Sequence, residues 1–318
     1  MVARKVSDEE LIKLLQETGS PTKVSKLTGL TVRNVYSRRD IIEQKYQIQL
    51  PSFSARQEGI ARNGVTIPQN RRQIDYELRN GVAVVFSDAH YWPGDPTVAH
   101  HALLEVCADL KPKLVVANGD VYDGARISRH EPLYGHNTPT PKQEIDTVKE
   151  RLSEIEKVTK GAYRFWTIGN HDIRFWRYVA VHAPDIAECV GTGLWEHFHG
   201  WEHGWSFFVN GHTMIKHRWH NGVHATYNNT LKSGVNIVTG HLHRLCVTPW
   251  ADYHGRRYGV DTGTLSEPYD DQFLYTENNP VPWCSGFAVL TFKDGQLLPP
   301  ETCEVLDGRA YFRGQQVI

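Results

Sequence analysis

The sequence predicts an α/β fold: two mixed β-sheets packed face to face with helices outside, an αββα sandwich of four layers, preceded by a small three-helix module. Three observations carry this. From residue 81 the chain alternates β-type runs with helical periodicity. From Cys246 onward β-type runs follow one another. The first 46 residues read as three short helices. A βαβα half followed by a β-rich half is the pattern of two stacked sheets with outer helices.

The elements follow in order. Ser7 caps a first helix with acidic residues in its first turn and Leu11, Leu14 and Leu15 on one face. Pro21–Thr28 is a second short helix, stopped by Gly29. Thr31 caps a third over Val32–Ile42, with Val32, Val35, Tyr36 and Ile42 on one side. Residues 47–80, with scattered Pro, Ser and Gly and the pair Arg71-Arg72, read as a linker. The main domain then spans 81–318. Its strands are expected at Val82–Phe86, Leu114–Ala117, Arg164–Ile168, Met214–Lys216 and Val235–Thr239. Its helices are expected at Pro96–Asp109, Lys142–Lys160, Ile173–Val181 and Ala225–Lys232. Later β-type runs are Cys246–Thr248, Tyr258–Val260, Phe287–Phe292 and Cys303–Leu306.

Composition narrows the class. The chain's 318 residues suffice for one large core plus a small module. No apolar run of about 18 residues exists, so no membrane span is expected. Met1–Asp8 lacks the apolar stretch of a signal peptide. Five widely spaced cysteines without a Cys-x-x-Cys fit a reduced, intracellular, cytoplasmic protein. Residues 1–80 hold 14 Lys+Arg against 9 Asp+Glu, while residues 81–318 hold 21 against 27. All 17 histidines follow residue 80. A basic head and an acidic, His-rich body have different tasks.

The third helix, after a Gly-containing turn, resembles the recognition helix of a helix-turn-helix module. In that reading Thr31, Arg33, Asn34, Ser37 and Arg38 face outward, and Arg33, Asn34, Ser37 and Arg38 contact DNA. The competing reading is a helical bundle used for oligomerisation.

The chemistry lies at strand ends. Asp88-Ala-His90, Gly119-Asp120, Gly169-Asn170-His171-Asp172 and Gly240-His241-Leu242-His243 each follow a β-type run, and His217 follows Met214-Ile215. Strand ends of an α/β sheet gather ligands into one crevice. Imidazole and carboxylate suit Mn, Fe, Zn or Ni. Asp88, His90, Asp120, Asn170, His217, His241 and His243 are enough ligands for two ions, the arrangement that clamps a phosphate in two-metal hydrolases.

These motifs resemble the calcineurin-like metallophosphoesterase family: Asp-x-His, Gly-Asp-x-x-Asp (Gly119 to Asp123), Gly-Asn-His-Asp, a single His and Gly-His-x-His. The resemblance covers roughly residues 81–295 and excludes the head. It implies that Asp88, His90 and His243 hold one ion, that Asn170, His217 and His241 hold the other, and that Asp120 bridges them. It implies a dinuclear centre, Mn²⁺ first among the candidates, with water attacking phosphorus. His171 would donate a proton to the leaving oxygen, and Asp172 would orient His171. Asp123 would stand behind the ligands. The single-His motif of the family reads His-Gly. Here His217-Arg218-Trp219-His220-Asn221-Gly222 leaves His220 as a rival to His217.

Arg126, Arg129 and His130, in the loop after Asp120, are placed to meet phosphate oxygens; a rim ion pair is the plainer reading. His182, His197, His199 and His203 occur among Trp195, Trp201 and Trp205, as a cap over the site or as a local aromatic cluster. His100 and His101 read as packing or surface groups. The basic head and the body together point to DNA as substrate, cut by a nuclease or trimmed by an end-processing phosphatase, in a phage-type protein. The alternatives are small phosphoesters or phosphoproteins with the head used for assembly, and a DNA-binding regulator with an inactive body. No membrane partner is expected, and the oligomeric state is open.

Overall fold

The computed structural model describes residues 6–18, 21–46, 48, 50, 73–130, 137–187, 189–277 and 279–318. Its helices are α1 (Asp8–Thr18), α2 (Pro21–Thr28), α3 (Val32–Tyr46), α4 (Val98–Leu110), α5 (Pro141–Val158), α6 (Ile173–His182) and α7 (Ala225–Ser233). Its strands are β1 (Gln73–Tyr76), β2 (Gly81–Phe86), β3 (Leu114–Ala117), β4 (Tyr163–Thr167), β5 (Glu202–Gly204), β6 (Ser206–Val209), β7 (Thr213–Ile215), β8 (Asn236–Thr239), β9 (Leu245–Asp252) and β10 (Gly255–Thr262). They continue as β11 (Gly286–Lys293), β12 (Gln296–Leu297), β13 (Glu301–Leu306), β14 (Arg309–Phe312) and β15 (Gln315–Gln316). Of the stretch read as linker, residues 51–72 lie outside the described residues, and Gln73–Tyr76 form a strand.

The head is a unit with its own core. Leu11, Leu15, Val24, Val35 and Ile42 are buried together, with Leu14 and Leu30 packed against them. The Ser7 hydroxyl accepts from the Glu10 N–H at 3.1 Å, and Thr31 does the same for Asn34 at 3.2 Å, so α1 and α3 begin where the sequence places their caps. Two details differ from the sequence reading. Val32 is exposed, because the buried stripe runs through Val35 and Ile42. Arg38 does not stand free: it donates to the Val6 carbonyl at 2.8 Å and pairs with Asp8 at 2.7 Å.

The body contains two mixed sheets. A nine-stranded sheet runs β15-β14-β13-β11-β2-β3-β4-β5, with β12 beside β11; β2 to β5 are parallel. A six-stranded sheet runs β1-β6-β7-β8-β10-β9, with β7, β8 and β10 parallel. Every residue of β3 is buried, which explains why Leu114–Ala117 reads as one apolar run: a parallel strand is covered on both faces. Phe165 of β4 stacks on Phe207 of β6, with centroids 4.5 Å apart, so the sheets meet face to face.

Helices α4 and α5 pack against each other outside the nine-stranded sheet. Thr140 and Gln143 close a full capping box at the start of α5, and Ile145, Val148, Leu152 and Ile155 bury one face. Each such side chain contributes about 1.5–3 kcal/mol by leaving water. Helix α7 covers the other sheet. A Cβ on Gly259 of β10 would meet the Thr230 hydroxyl of α7 at 2.0 Å, so only glycine lets this helix lie so close. No helix among the described residues is long and apolar enough to cross a membrane.

Candidate metal centre

The sheet register places the chemistry. Phe86, Ala117 and Trp166 are aligned across β2, β3 and β4, so the chain leaves all three strands at one edge. Ile215 and Val238 are aligned across β7 and β8 in the facing sheet. Asp88, Asp120 and Asn170 follow the first three strands; His217, His241 and His243 follow the other two. Backbone bonds tie the loops: Asp88 N–H to Gly119 O at 2.9 Å, His90 N–H to Asp120 O at 3.0 Å, Gly240 N–H to His217 O at 2.8 Å. Glycine precedes ligands where there is no room for more. A Cβ on Gly169 would lie 2.1 Å from Asp120 Oδ1, and one on Gly240 2.6 Å from Asp88 Oδ2.

The loops carry backbone strain. Asp88, His90, Asp120, His241 and His243 all have positive φ, between 40° and 74°. Such conformations cost about 1 kcal/mol or more each and gather at functional sites.

Two groups of ligand-type side chains result: Asp88, His90 and His243, and Asp120, His217 and His241, the atoms of each lying within 4.8 Å of one another. Each carboxylate spends one oxygen on a backbone N–H: Asp88 Oδ2 on His241, 2.8 Å, and Asp120 Oδ1 on His171, 2.7 Å. The other oxygen faces imidazole, with Asp88 Oδ1 3.2 Å from His243 Nε2 and Asp120 Oδ2 3.0 Å from His217 Nε2. His217 Nδ1 lies 2.8 Å from the Asn118 carbonyl, which turns Nε2 inward. His220 instead stacks on Trp219 and belongs to neither group.

Electrostatics suit a cation. Burial opposes ionisation of Asp88, but His243 and His217 outweigh it and hold the carboxyl at about 2. Burial opposes charge on His217, but Asp120 and Asp88 raise its ring to about 10. The carboxylates thus draw protons onto histidine where a metal ion would serve better. His90 Nε2 and Asn170 Oδ1 are buried without hydrogen-bond partners, and Asp88 Oδ1 and His217 Nε2 have only the ion-pair contacts just given, as groups that would hold an ion do.

A third group, His90, Asp123 and His171, is of another kind. Asp123 Oδ1 lies 2.8 Å from His90 Nδ1 and 2.7 Å from His171 Nδ1, so one carboxylate orients both rings. This corrects the expectation for Asp172. Its oxygens accept from the N–H groups of Asp120, Val121, Tyr122 and Gly169 and from Trp166 Nε1, at 2.8–3.2 Å, and none from His171. The residue follows His171 directly and points back beneath the loop, where it holds the Asp120 turn. Burial and the Asp120 charge push it up to about 6.

The loop residues Arg126, Arg129 and His130 are exposed, and Arg126 donates to the Thr138 carbonyl at 2.6 Å. Sequence reasoning missed Arg174, which donates to the Asp123 carbonyl at 2.9 Å and sits 3.1 Å from His171 Nε2. It lies three residues after His171, in the first turn of α6, and that short spacing was the available signal. Phe273 and Trp283 were also missed. Phe273 packs on His90 and His243, and Trp283 on His243, with centroids 4.4–6.0 Å apart. The aromatic insertion forms a local cluster: Trp195 packs on Trp166, Trp176 and His203, and Trp201 donates to Glu156.

Residues 82–274 match the family described as calcineurin-like phosphoesterase. The chain is similar to the Gene 54 proteins of Mycobacterium phage L5 and Mycobacterium phage D29. Each is 26% identical, over 249 and 247 residues respectively, covering 71% of this chain and 94% of the phage protein. Among solved structures it is similar to zinc-complexed Vps29 of Entamoeba histolytica, at 13% identity and a TM-score of 0.42, over 74% of this chain and 99% of that one. The strand-end motifs, their convergence and the matched span together show that the chain belongs to the calcineurin-like phosphoesterase family and is a metal-dependent phosphoesterase.

Proposed function

We propose that this phosphoesterase carries two divalent ions, one on Asp88, His90 and His243 and one on Asn170, His217 and His241, with Asp120 shared. The observation that carries the reading is the pair of buried ligand groups, each with its donor atoms within 4.8 Å of one another, with His90 Nε2 and Asn170 Oδ1 buried and unpartnered beside them. When bound, such ions supply an activated water and neutralise phosphate charge. The nitrogen and oxygen donors suit Mn, Fe, Zn or Ni, with Mn²⁺ preferred.

His171 serves the leaving group. Asp123 holds its Nδ1, so Nε2 lies on the side of Asp120, 4.0 Å from Oδ2. Burial alone would discharge the ring; Asp120 and Asp123 outweigh it and raise the ring above its ordinary value. Arg174, beside Nε2, is the cation we assign to a phosphate oxygen.

DNA is the substrate we favour, and phage relatives fit a phage-encoded protein. The support is the charge surplus of residues 1–80 and the exposure of Asn34 and Ser37 on α3. The Arg33 side chain lies outside the described residues. The Arg38–Asp8 pair favours the second reading, a head used for assembly and a small phosphoester or phosphoprotein as substrate. A metal screen against single-stranded DNA, duplex DNA and small mono- and diesters separates these, with His171→Ala as control. Turnover of DNA and diesters supports the first reading. Turnover of monoesters alone supports the second.

A further inference from the structure

A cavity of about 130 Å³ opens beside the Asn170 and His217 half of the centre. Its lining includes Asn170, Trp205, Lys216, His217 and Arg218, with Ile168 and Ile173 as its apolar part. Its charged residues other than His217 are all cations. Lys216 and Arg218 flank His217 in the chain. Trp205 stands where the chain crosses from β5 to β6, that is, from one sheet to the other. Its indole is 44% exposed and stacks on no other ring among the described residues.

An exposed indole next to two cations, at the lip of a phosphate-hydrolysing centre, matches the chemistry of a nucleotide: a flat base to stack and a phosphate to pair. Sequence-tolerant binding of single strands uses this combination of aromatic platforms and basic grooves. Size decides how much substrate enters. The space is well below the ~300–1,000 Å³ of a pocket that encloses a whole ligand, so it seats the part of a strand next to the scissile phosphate without enclosing it.

We infer that the Trp205, Lys216 and Arg218 cavity is a subsite for the nucleoside adjoining the scissile phosphate, with the base on Trp205 and the next phosphate on Lys216 and Arg218. This rests on the phosphoesterase reading above and makes the substrate a single-stranded nucleic acid. The test uses the full chain with Mn²⁺ and two small diesters sharing a leaving group, thymidine 5′-(p-nitrophenyl phosphate) and methyl p-nitrophenyl phosphate. The ratio of their kcat/KM values is expected to favour the thymidine ester. It should fall about tenfold in Trp205→Ala and recover in Trp205→Phe. A ratio unchanged in Trp205→Ala overturns the subsite, since a merely structural tryptophan lowers both rates alike.

Binding is read separately, by anisotropy of fluorescein-labelled trithymidylate in a His171→Ala background. Replacing both cations, Lys216→Gln with Arg218→Gln, should weaken binding and reduce the slope of log K against log salt by about 1.4, two charges at about 0.7 each. An unchanged slope overturns the phosphate assignment. If no ester turns over with any metal, the hydrolase reading fails, while the anisotropy still decides the subsite.

Discussion

The two halves of the candidate centre share donor chemistry but differ in enclosure. Asp88, His90 and His243 are buried to 0%, 1% and 6% exposure and lie under Phe273 and Trp283. Across Asp120, His217 is as deeply buried, but Asn170 and His241 are only half-buried, and a cationic cavity adjoins them. The same ligands can therefore do two jobs. The closed half would hold an ion away from water, and the open half would leave space where substrate arrives.

The largest effect should come from removing what the halves share. Asp120→Ala is expected to lower turnover about 10³-fold or more, the several kcal/mol that metal ions supply to the transition state. Retained activity would mean that Asp120 joins nothing. Next, His171→Ala should cost about 10²–10⁴-fold on an ester with a poor leaving group and much less on a p-nitrophenyl ester, which departs without a proton. Equal losses on both would remove His171 from the leaving-group role. Asp123→Asn should weaken both the closed half and the leaving-group step, because one oxygen orients His90 and His171.

Metal removal comes next in size. Positive-φ ligands and crowded carboxylates make the metal-free loops costly. Ions at about 100 times their Kd add about 2.7 kcal/mol, so chelation should lower Tm by roughly 5–10 °C. An unmoved Tm would show that the loops are not under that load.

The smallest effect serves as a control outside both halves. His100 is buried between the Tyr91 hydroxyl at 2.9 Å and Glu154 at 2.8 Å, and burial lowers its pKa to about 4. Unfolded, the ring titrates near 6.5. Above pH 6.5 both states are neutral. As pH falls from 6.5 toward 4, the unfolded chain takes a proton that the fold refuses, so stability drops, by an amount on the order of 2 kcal/mol. Denaturant unfolding at pH 7 and pH 4.5 should show that drop, with or without metal, and His100→Gln should flatten it. A slope equally steep in the variant would place the acid sensitivity elsewhere.

Much of this was legible in the sequence because strand ends and turn chemistry are local. The runs before Asp88, Asp120 and Asn170 had to be buried parallel strands, and the ligands had to follow them. The Asp294-Gly295 and Asp307-Gly308 turns were equally local, with φ positive at both residues, and mark the β11–β12 and β13–β14 hairpins that the sequence reading passed over. What stayed hidden depends on side-chain direction. Asp172 adjoins His171 in the chain and Asp123 lies 48 residues before it, yet only the folded loops show that Asp123 orients the ring while Asp172 points under the Asp120 turn. Arg38 reads from the sequence as an outward-facing cation, and nothing local signals that Asp8, 30 residues away, pairs with it. Phe273 and Trp283 reach the centre from segments with no motif at all.

The most direct measurement of the two-ion centre is metal content per chain after loading with Mn²⁺ and removal of excess, by elemental analysis. Wild type should hold two ions, and His217→Ala should keep one, on the closed half, while His220→Ala keeps both. One ion in wild type, or two in His217→Ala, would contradict a centre divided between the halves in this way.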